Sequence, residues 1–162
     1  GYKPGNLNAD CILQILRSRN FKLDTSQSAM IIGSYDFVLS VAVKIALSGY
    51  SNILVSLFEK ERVVELEKKM KEFIFNLQIK PVSLNELTLL QTASGLLISN
   101  VTPEMDKDAY ETLTYFNFLT HGGVFVDFQS YSHPTLIEEA KRAELNTVEE
   151  LEILTLKFKS LL

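Results

Sequence analysis

The stretch AMIIGSYDFVLS, residues 29–40, sets a single glycine, Gly33, between an apolar run and a helical pattern. A turn of this kind can hold a nucleotide's pyrophosphate. The first glycine permits the bend, a second lets backbone N–H groups approach the phosphates, and the helix N-terminus presents its positive end. Gly33 and Ser34 suit the bend, but Tyr35 stands where the second glycine is wanted, and Asp36 adds a like charge beside it. The expectation is that Tyr35 fills the pyrophosphate's space. An ionised Asp36 would then satisfy the helix's free amides, as a phosphate otherwise would.

Other candidates are sparser. Glu59, just after NILVSLF, could accept from a ribose hydroxyl, yet it lies about two residues past the usual strand end and reads as an exposed helix-start glutamate. His121 and His133 have no serine or cysteine nucleophile at a strained turn to serve; the first is expected in a loop before a strand, the second at a helix start ahead of Pro134. Cys11 is the only cysteine and falls on the apolar side of a helix, which suits a small core residue. With one cysteine and two histidines, a structural metal site is not expected. The lysines of EKERVVELEKKMKE are offset by glutamates, which gives a solvated face. Tyr110, Tyr115, Phe116 and Phe118 exceed what one helix end needs, so part of this aromatic group is expected outside the core.

The elements that must position these residues follow from periodicity. NADCILQILRSR reads as an amphipathic helix capped by Asn8, and FKLDTSQS as a connector. Strand 29–33 leads into a helix ended by Gly49, and NILVSLF (52–58) is a second strand before a charged helix offering Val63, Val64, Leu66 and Met70. LQIKPVS is a third strand, placed at an edge because Pro81 cannot donate to a central ladder. SLNELTLLQTA is a short helix with a Ser83–Glu86 capping box. GLLISNV (95–101) and GGVFVDFQSY (122–131) are further strands with a helix between them. Two helices end the chain, the second opened by Thr147 with Glu150 three residues on. This alternation predicts an α/β domain: a three-layer α/β/α Rossmann-like fold with a mainly parallel sheet of five or six strands. Residues 1–24 form a linker helix and connector, and 25–162 the Rossmann-like domain.

The chain has 162 residues and a formal net charge of −4 with no basic stripe, which argues against nucleic acid as a partner. It has neither a bilayer-length apolar run nor a signal pattern, so a cytoplasmic chain with no membrane partner is expected. A start at GYKPGN without methionine is what a piece of a longer protein would show.

Taken in series, these landmarks resemble the C-terminal, NADP-binding half of the shikimate dehydrogenase family in degenerate form, with the helix that links it to the substrate half. The family's Asn-Thr-Asp before an apolar helix falls on Asn8, Ala9 and Asp10, and its glycine-rich turn on GSYDF from Gly33. Its Asn-Arg-Thr after the second strand falls on Leu57, Phe58 and Glu59, with Arg62 following. Its Asn-Ala-Thr-Pro falls on Asn100, Val101, Thr102 and Pro103, with Met105 next but one. Its fifth-strand aspartate falls on Asp127, and its later Thr-Pro-Leu-Leu helix on PTLIEEA from Pro134.

The resemblance implies cofactor contacts at Gly33, Ser34, Tyr35, Phe58, Glu59, Asn100, Thr102 and Pro103, and the departures bear on each. Phe58 replaces the arginine that contacts the 2′-phosphate of NADP. Asp10 matches the family's catalytic aspartate, but Ala9 replaces its threonine, and the catalytic lysine belongs to a half absent from this chain, so Asp10 reads as a helix-start residue. The family's Gly-Leu-x-Met-Leu run is ELEIL here, Lys157 takes the place of a substrate-contacting glutamine, and Tyr131 is the loose counterpart of the tyrosine after the fifth strand. The resulting expectation is a non-catalytic interaction or regulatory module, without a cofactor, acting on a protein partner or on other domains of the same chain, with a homodimer left open. The alternative is the NAD- or NADP-binding domain of a divergent shikimate or quinate dehydrogenase-like oxidoreductase.

Overall fold

The computed structural model describes residues 4–83, 86 and 93–162. The chain runs α1 (Pro4–Ser18), β1 (Ala29–Gly33), α2 (Tyr35–Leu47), β2 (Asn52–Leu57), a 3-10 turn (Lys60–Arg62), α3 (Val63–Phe73), β3 (Gln78–Pro81), β4 (Ser94–Ser99), α4 (Lys107–Leu113), β5 (Leu119–Asp127), α5 (Thr135–Arg142), β6 (Asn146–Val148) and α6 (Glu150–Ser160). The expected helix after Ser83 falls largely outside the described residues.

All six strands among the described residues are parallel, in the order β3-β2-β1-β4-β5-β6. The expected α/β Rossmann-like fold is present, at the upper strand count. β1 is central and wholly buried, which is why AMIIG is an unbroken apolar run. Successive side chains of a strand serve opposite faces. Ile31 thus joins Val55, Ile98 and Val126 in a core closed by α1, α2, α3 and α6, while Met30 and Ile32 join Leu97 and Phe125 under α4 and α5. Pro81 ends β3 at a sheet edge, as its missing donor requires. Gly49 closes α2 with φ 119°, a backbone state that side chains resist.

Several boundaries differ from the sequence reading. α1 starts at Pro4 rather than after Asn8, because proline at a first helical position costs no hydrogen bond. Asp10 therefore lies within the helix. β5 begins at Leu119, placing His121 in a strand, and ends at Asp127. Thr147 is not a helix cap: it lies in β6, paired with Phe125, and Glu149 is the residue before α6. Val64 is 78% exposed, whereas Leu66 and Met70 are buried. Of the aromatic group, Tyr110, Phe116 and Phe118 are buried in the second core and Tyr115 is exposed.

Candidate functional site

Chain order reverses between β1 and β4, so the crevice beyond their C-terminal ends is where a sheet of this class takes a ligand. Gly33, Asn100 and the loop after Asp127 meet there.

Gly33 bends directly into α2, with Ser34 at the cap position in extended conformation (φ −72°, ψ 162°) and its hydroxyl making no cap hydrogen bond. The N–H of Phe58 donates to Gly33 O at 3.1 Å, which carries the β1–β2 pairing one residue past the strand ends. That step brings Glu59 over the start of α2, and the Tyr35 N–H donates to Glu59 Oε2 at 2.6 Å. The anion at this helix start is thus Glu59. Asp36 is exposed, and the role expected for it is taken by a carboxylate from the loop after β2. A charge-assisted bond at a helix N-terminus is the interaction a phosphate would make.

The Tyr35 ring lies elsewhere than expected. It is only 5% exposed and packs sideways onto the α3 region, with the Arg62 guanidinium 3.6 Å from its centroid. Arg62 in turn donates twice to Glu65, at 3.0 Å each. Burial and the nearby Glu65 carboxylate push the Tyr35 hydroxyl pKa up. The mouth of the turn is filled instead by Phe37. A Cβ on Gly33 would lie 2.7 Å from Phe37 Cδ1 and 3.4 Å from Asn100 Cβ, so only glycine lets these groups approach. Phe37 meets Phe128 edge to face at 5.0 Å, joining the loop after β5 to the first turn of α2.

Behind the Phe37–Phe128 pair most polar groups have partners, with one oxygen of Asp127 the exception. Asn100 N–H donates to Ile32 O at 3.0 Å, and the Gln129 side chain donates to Asn100 Oδ1. Thr102 is buried, and its carbonyl accepts from Met105 in a turn that holds half-buried Pro103. Asp127 is fully buried; Oδ1 accepts from Gln129 N–H at 2.8 Å, while Oδ2 has no partner among the described residues. Desolvation, with some help from the Glu150 charge, pushes the Asp127 pKa up to about 7.

Other sequence-derived candidates lie apart. Asp10 pairs with Lys44 of α2 at 2.8 Å. Phe58 is half-buried against the α4–α5 core. His133 Nε2 is 3.2 Å from Glu104, and its carbonyl accepts from the Tyr110 hydroxyl, while His121 is exposed on β5. Cys11 is buried, and burial raises its thiol pKa. Lys157 sits half-buried on α6, near enough for its charge to act on that thiol. Tyr131 is 76% exposed, its N–H bound to Glu150. Among the described residues no cluster of His, Cys, Asp and Glu could hold a metal ion, and no helix is long and apolar enough to cross a membrane.

Sequence reasoning missed Phe37 and Phe128. The available signal was an aromatic residue shortly after each of β1 and β5, where a ligand-binding loop would carry small or polar side chains.

No family model matches the chain, and no curated protein matches it. Solved structures do. Shikimate 5-dehydrogenase from Listeria monocytogenes, in complex with shikimate and NAD, superposes with a TM-score of 0.70 at 14% identity over 93% of this chain and 54% of that one. Quinate dehydrogenase from Corynebacterium glutamicum, in complex with NAD, gives 0.70 at 16% identity over 91% and 52%. Shikimate dehydrogenase from Mycobacterium tuberculosis gives 0.65 at 15% identity over 91% and 52%. The chain thus spans about half the length of these dehydrogenases, and its fold is the Rossmann-like one that the resemblance implied.

Proposed function

We propose that this domain is a non-catalytic relative of the shikimate dehydrogenase nucleotide domain, serving as an interaction or regulatory module whose phosphate position is held by its own Glu59. The observation that carries this reading is the 2.6 Å bond from the Tyr35 N–H to Glu59 Oε2. A pyrophosphate would have to displace that carboxylate, sit beside Asp36 and move the Phe37–Phe128 pair, and it would regain at the helix start only the interaction Glu59 already makes. The missing NADP-type arginine at Phe58 and the internal use of Asn100 Oδ1 by Gln129 point the same way.

The competing reading, a domain that still binds NAD or NADP in a divergent oxidoreductase, draws on solved neighbours described with NAD. Calorimetric titration with NAD, NADH, NADP and NADPH separates the two. The expected result is no heat of binding up to about 1 mM for the unaltered chain. Micromolar binding of any of the four would overturn the module reading and make the chain a cofactor domain.

A further inference from the structure

The loop after β5 closes the crevice largely through side chains. Phe128 meets Phe37, and the Gln129 side chain donates to Asn100 Oδ1. Ser130 Oγ accepts from the Glu150 N–H at 2.7 Å while the Tyr131 N–H donates to Glu150 Oε1 at 2.9 Å, which ties the loop to the start of α6. One backbone bond, from Phe128 N–H to Ser99 O at 3.0 Å, joins it to β4.

Asp127 lies at the root of this loop. Its backbone is held in the sheet beside Ser99, and its buried carboxyl receives the Gln129 N–H on Oδ1 and, among the described residues, nothing on Oδ2. Charge around it gives no relief. Glu150 of α6 acts on it with the same sign, and Tyr110 of α4, which feels its charge, has its hydroxyl engaged by the His133 carbonyl at 3.2 Å. An ionised carboxylate here lacks both water and a second donor, a state that costs free energy until something moves. The sheet cannot give way without losing its ladder, whereas the loop need lose only a few contacts.

We infer that residues 128–131 form a latch, shut while Asp127 is protonated and released when it ionises, so that water reaches the carboxylate and the Phe37 side of the crevice is uncovered. The buried carboxyl titrates at about 7, which places the changeover near neutrality. In the released loop the carboxyl is hydrated and returns to its ordinary range, so opening gives off a proton. It therefore becomes more favourable by up to about tenfold for each pH unit as pH rises to 7, and levels off above. The loop's other ionisable side chains are engaged elsewhere: His133 faces Glu104 at 3.2 Å, and Tyr131 is exposed. The inference goes beyond the module reading and holds whether or not a nucleotide binds.

Native-state amide exchange followed by NMR from about pH 5 to about pH 8, with and without urea below the unfolding range, tests it. Protection of the Gln129, Tyr131 and Glu150 amides, taken relative to an unstructured chain at the same pH, should fall by up to about tenfold per unit as pH rises to 7 and then level off. It should respond little to urea, as local opening does, while the central amides of β1 are better protected and lose protection with urea. Asp127→Asn should keep the loop's protection high at every pH. His133→Gln should leave the slope as it is. Glu150→Gln keeps an acceptor for Tyr131 but removes the like charge, and should bring the levelling to lower pH. Loop amides that exchange only together with those of β1, with the same urea dependence, overturn the proposal. So does protection that is level with pH in the parent, or a slope that survives Asp127→Asn and disappears in His133→Gln.

Discussion

Glu59 and Asp127 are two carboxylates near the crevice in opposite situations. Glu59 is half-buried and engaged, accepting from the Tyr35 N–H at 2.6 Å. Glu59→Ala leaves that N–H without its anion at the helix start, and the expected loss is about 1–2 kcal/mol of stability by chemical denaturation, with Glu59→Gln losing less. Asp127 is fully buried with one oxygen unpartnered, and its pKa, about 7, lies above the ordinary value for an unfolded chain. The folded state therefore binds the proton more tightly than the unfolded state. Its contribution to stability is complete below about pH 4 and is lost as pH rises through about 7. Asp127→Asn should flatten this fall and unfold at higher denaturant than the parent at pH 8, by a few kcal/mol at most, a difference that vanishes near pH 4. A parent whose stability is level from pH 4 to 8 would contradict the assignment. Asp127 was legible in the sequence as a strand-end acid, but its unpartnered oxygen was not, because that depends on which loops close over it.

At the level of elements, what the sequence did and did not disclose separates cleanly by the range of the interactions involved. β1, β2 and the α2 end at Gly49 were readable because apolar runs and glycine act locally. β6 was not. It has three residues of which only Val148 is buried, too few for any period, and Thr147 with Glu150 imitates a capping box. The amide at the start of α6 is answered from afar: Glu150 N–H donates to Ser130 Oγ at 2.7 Å, as Tyr35 N–H is answered by Glu59. Such non-local caps leave no short motif. α4 is the contrasting case, since Asp106 accepts from Ala109 N–H at 3.0 Å in an ordinary local cap. Asp106→Ala should cost about 1 kcal/mol, measured as a lower denaturation midpoint, with Asp106→Asn close to neutral.

Across the whole molecule, the two cores on either side of one parallel sheet follow directly from strand alternation, and that much of the architecture was present in the sequence pattern. The contents of the crevice were only half legible: the departures at Tyr35 and Phe58 from the resembled pattern could be read, whereas the Glu59 and Phe37–Phe128 contacts that fill it could not. Those contacts make changes at the turn easier in one direction than in the other. Removing Glu59 first strands an amide while Phe37 still fills the mouth of the turn, and trimming Phe37 first opens a hole against Phe128 while Glu59 still caps α2. Each single step toward an open turn costs stability before any ligand could compensate. The Glu59 contact is thus a ratchet: while it is in place, any single change toward an open turn is penalised before a second can make use of it.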